Sequence, residues 1–191
     1  LYNYVISKAA GFDSLHNEQI AAAIVMNYGW NIAQLATGEG KTAVGLLAAL
    51  VSSLSGKGSF IVTTKDESAV DAYRELGLKV GQLTGRKIGL VQDKQYKRAD
   101  DGAEAGSGSG EAVMVRGNVD STGRQMTPEQ KRAEYAKDVT YVSINNWAFD
   151  VSHDLLDVRR GQEASKIIPR TLNEVSVIID EIDSVLIDQA M

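Results

Sequence analysis

Apolar positions along this chain follow two rhythms. Short, nearly continuous apolar runs, Ser59 to Thr64 (SFIVTT), Val139 to Ile144 (VTYVSI) and Val175 to Asp180 (VSVIID), read as buried strands. Between them lie longer stretches at helical spacing: Tyr2 to Ala10, Glu18 to Asn27, Thr42 to Leu54, Asp66 to Leu76 and Asn145 to Asp157. Gly11 ends the first, Ser14 or Asn17 caps the second ahead of a turn at Tyr28-Gly29, and Gly77 stops the fourth. Thr127-Pro128-Glu129-Gln130 opens a further helix to about Lys137, with a capping hydroxyl, proline at the first helical position and glutamine three residues after the threonine. A polar loop, Arg159 to Thr171, precedes the last strand, and Ser184 to Ala190 opens a last helix. Leu78 to Thr84 (LKVGQLT) and Asn31 to Ala36 read as two more strands. Strands and helices alternating at this spacing predict an α/β domain, a mostly parallel sheet with helices on both faces.

The alternation lapses from about Gly85 to Met126. Lys87 to Gln92 and Ala112 to Val119 are read there as an antiparallel ribbon, and Ala99 to Glu111, built of Gly, Ser and acids, as a mobile loop. Lys87, Lys94, Lys97 and Arg98 make a basic cluster that reads as a solvated face more readily than as a partner contact. At 191 residues the chain suits one domain with a sizeable core. Its 25 acidic and 20 basic residues leave a net charge of -5, with no basic excess to advertise nucleic-acid binding. Without cysteine, disulfides and thiolate metal sites are excluded, which fits a reducing compartment. The longest apolar stretches, Ile20 to Met26 and Ala43 to Val51, are too short to span a bilayer as a helix. The chain begins at Leu1 without a secretory n-region and stops at Met191 inside a helix-like run, so a piece of a longer protein is expected.

Two stretches carry candidate chemistry. Leu35 to Thr42 (LATGEGKT) is a Gly-rich turn between a strand and a helix. Gly38 and Gly40 let successive backbone N–H groups face one anion, the helix adds its positive end, Lys41 supplies an ammonium and Thr42 a hydroxyl suited to Mg²⁺. In the usual G-x-x-x-x-G-K-[ST] spelling Leu35 stands where the first Gly would be. The competing reading is a turn that merely caps a helix. The second stretch is Asp180-Glu181-Ile182-Asp183, an apolar strand closing in adjacent carboxylates. Asp180 is placed to hold the water shell of Mg²⁺ and Glu181 to reach the water that attacks a γ-phosphate. Acids favoured by a helix N-terminus are the competing reading here. The two stretches together, several βα units apart, point to ATP or ADP with Mg²⁺.

The same residues resemble the SecA family of protein-export motor ATPases. T-G-E-G-K-T is that family's loop, and VIIDEIDSVLIDQA is similar to its V-D-E-V-D-S-I-L-I-D-E-A, with the likeness running on through Ser184, Leu186, Ile187, Asp188 and Ala190. IVTTKDESAVDA resembles the motif after the loop helix, with Thr63, Asp66 and Ala69 in place; LGLKVG and KRAEYAKDVTYVSINNWAFD are similar to further family strings. The resemblance implies that residues 1–191 are part of the first nucleotide-binding domain, the DEAD motor. That is a RecA-like P-loop fold, one part of a motor of two RecA-like domains. Residues 86–126 look like an insertion.

By the same resemblance Lys41 meets the β and γ phosphates, Thr42 and Asp180 hold Mg²⁺, Glu181 polarises the attacking water, and Thr37, Gly38, Glu39 and Gly40 line the nucleotide. Gln19 reads adenine with an amide that both donates and accepts, although spacing alone leaves an exposed helix glutamine equally open. The implied partners are a second RecA-like domain, a membrane translocation channel and unfolded preprotein, with no nucleic acid. The implied location is cytoplasmic and peripheral to a membrane, with weak nucleotide binding and poor hydrolysis by the 191 residues themselves. The chain departs from the family at Ser14-Leu15-His16-Asn17-Glu18, where R-x-F-D-V is usual before the glutamine, and at Ala36, Ile144 and Asn146. Two alternatives stay open: a DEAD-box-like nucleic-acid helicase or remodelling ATPase, and a non-catalytic nucleotide-binding module. Against the helicase, Thr63-Thr64-Lys65-Asp66 and Ser143-Ile144-Asn145-Asn146 stand where P-T-R-E-L and T-P-G-R are expected.

Overall fold

Side chains turned alternately to the two faces along three apolar strands set the architecture. In a computed structural model that describes residues 1–11, 13–29, 31–36, 38–92, 94–95, 115–116, 126–161 and 166–187, Phe60 and Val62 of strand β1 (Gly58–Thr63) face one side of a sheet and Ile61 the other. Strand β5 (Val139–Ser143) repeats the division, with Val139 and Tyr141 beside Ile61 and Val142 beside Phe60 and Val62. Strand β6 (Val175–Ile179) turns Ile178 to the first side and Val175, Val177 and Ile179 to the second. With β2 (Ile88–Val91) these form a sheet ordered β2-β5-β1-β6, every pairing parallel. Buried on both faces, β1 and β5 could not afford the polar alternation of a half-exposed strand.

Helices α1 (Tyr2–Ala10), α2 (Asn17–Val25), α3 (Lys41–Ser53), α4 (Asp66–Ala72) and α5 (Leu78–Thr84) contribute to the first face. The middle of helix α3 is buried almost all round because α1, α2, β1 and β6 pack about it, which explains the unbroken apolar run Ala43 to Val51. Helices α6 (Pro128–Tyr135) and α7 (Ile144–Arg159), with Ile167 and Ile168, cover the second face. Helix α8 (Ile182–Ile187) follows β6. The Thr127 cap forms as its spelling predicts: Thr127 Oγ1 accepts from Gln130 N–H, and Gln130 Oε1 from Thr127 N–H. Among the described residues no helix is long and apolar enough to cross a membrane.

Four expectations are corrected. Leu78 to Thr84 is helix, not strand, and Gly77 does not stop the preceding one: a π turn, Tyr73–Gly77, carries α4 into α5. Leu76 and Val80 are buried four residues apart while Leu78 and Leu83 are exposed, a helical period that seven residues of sequence do not separate from alternation. Gly77 serves close packing, since a Cβ there would lie 3.1 Å from the Tyr141 ring. Asn31 to Ala36 joins no strand: Ile32 is its one β-branched residue and is 80% exposed, and the Asn31 side chain is spent on the carbonyls of Val25 and Tyr28. The second helix is entered from His16 and not from Ser14 or Asn17.

Fourth, Lys87 to Gln92 is not an arm of an antiparallel ribbon: its strand pairs in parallel with β5, and Val115–Arg116, the described part of Ala112 to Val119, pairs with Lys94–Gln95. Ile88–Val91 is the edge strand β2, zipped to β5 by Asp138 N–H to Lys87 O and by Lys87 N–H to the Asp138 carboxylate, each 2.9 Å. Its outer edge is occupied where Leu90 N–H donates to Glu134 Oε2 at 2.9 Å, which blunts further pairing. A two-residue antiparallel pair, β3 (Lys94–Gln95) with β4 (Val115–Arg116), stands apart. The loop expected over residues 99–111 lies outside the described residues, as do Lys97 and Arg98 of the basic cluster.

Candidate functional site

Parallel strands deliver their following residues to one edge of a sheet, and the chemistry-bearing residues collect there. Thr63 and Thr64 close β1, Ser143 to Asn146 close β5, and Asp180 and Glu181 close β6. The Gly-rich loop stands at the start of α3, which packs against both β1 and β6.

In the loop, Gly38 and Gly40 take φ of 87° and 72°, conformations open to glycine at little cost. Gly40 precedes the first turn of α3, so Lys41 and Thr42 begin the helix with exposed side chains. Glu39 braces the curl, its N–H donating to Ala36 O at 3.2 Å and its Oε2 accepting from Ala36 N–H at 2.9 Å. Thr37 lies outside the described residues.

Gln19 is brought to this loop. It is 8% exposed, donates from Nε2 to Glu39 O at 2.7 Å and accepts at Oε1 from His16 N–H at 2.8 Å. A Cβ on Gly40 would meet Gln19 Nε2 at 2.9 Å, so the glycine is needed for approach as well as for its φ. The amide thus ties the start of α2 to the Gly-rich loop.

Across from the loop, Asp180 N–H donates to Val62 O at 2.8 Å, which extends the β1/β6 pairing by one residue and fixes the carboxylate at the strand end. Burial raises the Asp180 pKa above the ordinary aspartate value, and the neighbouring Glu181 charge raises it further. A hydrogen bond from the Glu181 backbone and the Lys41 ammonium pull the other way. The loop lysine and the strand-end acid therefore lie within electrostatic reach of each other. Fully buried Tyr141 feels the same acid, its pKa raised by burial and then by the Asp180 charge.

Glu181 is exposed and sits at φ 55°, a left-handed conformation unusual for a residue with a side chain. Its Oε2 accepts from Thr64 Oγ1 at 3.1 Å. Between the strand ends, Asn146 Nδ2 donates to Asp66 Oδ1 at 2.9 Å, locking α7 to α4. Thr64 and the Asn146–Asp66 pair were not singled out by sequence as site residues. Thr64 carries no local signal, because its hydroxyl meets Glu181 only through the alignment of β1 with β6.

The donor set suits a magnesium nucleotide. Among the described residues there is no cluster of three or more His, Cys, Asp and Glu able to hold a metal ion. Mg²⁺ needs none, since it is habitually bound through one or two carboxylates together with substrate phosphates and water. Asp180, partly buried and with its ionised form disfavoured by desolvation, is a carboxylate that a cation would stabilise.

Compared with known proteins, residues 5–191 match the family model described as SecA DEAD-like domain. The chain is 32% identical over 172 residues to "Protein translocase subunit SECA1, chloroplastic" of Arabidopsis thaliana, covering 90% of this chain and 13% of that protein. It is 30% identical over 175 residues to the protein translocase subunit SecA of Ruthia magnifica, covering 92% and 15%. The SecA of Clostridium botulinum (strain Eklund 17B) is 31% identical over 175 residues, covering 92% and 16%. The chain thus spans between 13% and 16% of the length of these relatives.

Proposed function

This chain belongs to the SecA DEAD-like domain family, and from that premise we propose that it is the ATP-binding half of a SecA-type motor that couples ATP hydrolysis to protein translocation across a membrane. The observation that supports the reading is a Gly-rich turn, with Gly38 and Gly40 at φ 87° and 72°, opening a helix that packs against β6, the strand that ends at Asp180.

Each residue then has a task. The backbone amides shaped by Gly38, Glu39 and Gly40 wrap the phosphates, and Lys41 neutralises the β and γ groups. Thr42 and Asp180 hold Mg²⁺, which supplies neutralisation of charge on the phosphates. Glu181 takes a proton from water as the water oxygen bonds the γ-phosphorus and the bond to the bridging oxygen breaks, that oxygen leaving with ADP. Gln19 reads adenine from the position that already touches the loop, and Thr37 contributes to the same cradle. Positive charge on the far side of the γ-phosphate comes from a second RecA-like domain, so the 191 residues bind nucleotide weakly and hydrolyse it poorly by themselves. In the full-length protein the partners are a membrane translocation channel and unfolded preprotein, and the protein sits at the cytoplasmic face of a membrane.

A titration of the chain with a fluorescent ADP or ATP analogue, with and without Mg²⁺, tests the binding step. Lys41→Ala should weaken binding roughly ten- to a hundredfold, the usual loss for a hydrogen bond to a charged group; equal binding by the two would remove the reading. In the full-length protein Glu181→Gln should keep nucleotide affinity and cut turnover to a small residual rate. Turnover stimulated by RNA, and not by unfolded preprotein or membranes, would transfer the motor to nucleic acid.

A further inference from the structure

We propose that Thr64 is a positioning residue for Glu181, a role that rests on the motor reading above. Thr64 is not among the residues that carry the family likeness, which in its string are Thr63, Asp66 and Ala69. Its place follows from the sheet. β1 and β6 pair in parallel with Val62 opposite Ile179. The next bond, Asp180 N–H to Val62 O, continues that register past the strand. Two residues on from Val62, Thr64 falls beside Glu181, and its Oγ1 donates to Glu181 Oε2 at 3.1 Å.

Three properties fit the hydroxyl to this work. Thr64 is 5% exposed and β-branched, so its χ1 is stiff and its hydroxyl stays where the sheet puts it. Glu181, by contrast, is exposed and would otherwise sample many rotamers. Its left-handed backbone persists only where surrounding contacts over-determine it, and a bond reaching across from the neighbouring strand is one such contact. Finally, the bond engages one carboxylate oxygen and leaves Oε1 as the acceptor for the proton of an attacking water. Thr64 thus narrows the base to orientations that point one oxygen at the reaction.

The test uses Thr64→Val, which keeps shape and loses the hydroxyl, Thr64→Ser, which restores it, Glu181→Gln, and the Thr64→Val/Glu181→Gln double variant. In the full-length protein Thr64→Val should lower kcat for ATP about tenfold, the lower end of the range for a hydrogen bond to a charged group. KM and the affinity for a fluorescent ADP analogue should stay within about twofold, because ground-state binding does not use the base. Thr64→Ser should recover most of kcat. The double variant should match Glu181→Gln, since a residue acting through Glu181 has nothing left to position. An unchanged kcat in Thr64→Val, a KM that rises in step with the loss, or a further loss in the double variant would overturn the proposal. A second arm needs no nucleotide: the carboxyl carbon signal of Glu181 in the 191-residue chain should move in Thr64→Val and return in Thr64→Ser. A signal that stays put overturns the positioning role even if nucleotide binds, whereas a moved signal in a chain indifferent to Lys41→Ala removes the motor reading and leaves the bond.

Discussion

Two groups of carboxylates in this molecule receive opposite treatment. Along α7, Asp150, Asp154 and Asp157 are all buried on one face, and each has an assigned partner. Asp150 takes Lys131 Nζ at 2.5 Å and the Tyr135 hydroxyl at 2.9 Å, Asp154 takes the N–H groups of Ile167 and Ile168, and Asp157 lies 3.4 Å from His153 Nδ1. At the end of β6, Asp180 and Glu181 are adjacent carboxylates, one partly buried with its pKa raised chiefly by desolvation and the other exposed on a left-handed backbone. Burial with hydrogen-bonded or ionic partners marks the acids that hold the fold together, whereas the two acids closing β6 stand partly or fully open to solvent at the sheet edge.

The sharpest way to break the contrast is Asp150→Ala. Removing one partner of a buried pair strands the other, so the loss should be about 3–5 kcal/mol of unfolding free energy. Lys131, itself buried, would be left with its charge uncompensated by that carboxylate. Denaturant unfolding of the chain reads this directly. A loss no larger than that of an exposed substitution would mean that the α6–α7 link is not structural.

Asp154→Asn comes next. It keeps the shape while replacing one acceptor by a donor facing the N–H groups of Ile167 and Ile168, and should cost about 2 kcal/mol. The loosening should be local: amide exchange at Ile167 and Ile168 should accelerate more than at Val62 in the sheet centre. Uniform acceleration would place Asp154 in the global core instead.

Sequence spelled out the chemical edge better than the frame around it, for a physical reason. Gly38 and Gly40 declare a conformation, Thr127-Pro128-Glu129-Gln130 declares a cap, and VSVIID declares a strand ending in acids, because each is settled by residues close in the chain. The strand reading of Leu78 to Thr84 fails because seven residues fit either period and Tyr141, 57 or more positions away, decides the packing at Gly77. The partner of Ile88–Val91 was illegible for a similar reason: its pairing with β5 is anchored by Asp138, a nonlocal contact. The same register hides Thr64, whose hydroxyl meets Glu181 only once β1 and β6 are aligned.

A smaller effect with an inverted sign comes from Glu181. In an ordinary helix or strand a glycine is less stable than an alanine, but at φ 55° an L side chain carries a steric cost of about 1–2 kcal/mol that glycine avoids. Glu181→Gly should therefore be more stable than Glu181→Ala by about 1 kcal/mol once glycine's extra chain entropy is subtracted, while both lose turnover. The usual order, alanine above glycine, would show that the backbone relaxes and that no strain is held at residue 181.

The smallest effect is a slope with pH, and it separates the two groups of acids electrostatically. The folded-state pKa of Asp180 lies above its ordinary value, chiefly through burial and next through Glu181. Between the unfolded and folded values the native chain binds the extra proton. Stability from this group is thus fully present below the ordinary aspartate range and is lost as pH rises through the folded pKa. Asp180→Asn cannot ionise and should lack that fall, so the variant should gain on the unsubstituted chain as pH climbs from about 3 toward neutrality. Glu129 and Glu174 tilt the raw curve the other way. Their pKa values are lowered by hydrogen bonds at the helix starts, from the Glu129 backbone and Thr127 in one case and from the backbone and side chain of Thr171 in the other. Both are common to the two proteins, so the difference between the denaturant midpoints isolates Asp180. A difference that stays flat with pH would mean that Asp180 ionises as freely as a surface acid, and a cation would then have no more to gain there than at any exposed carboxylate.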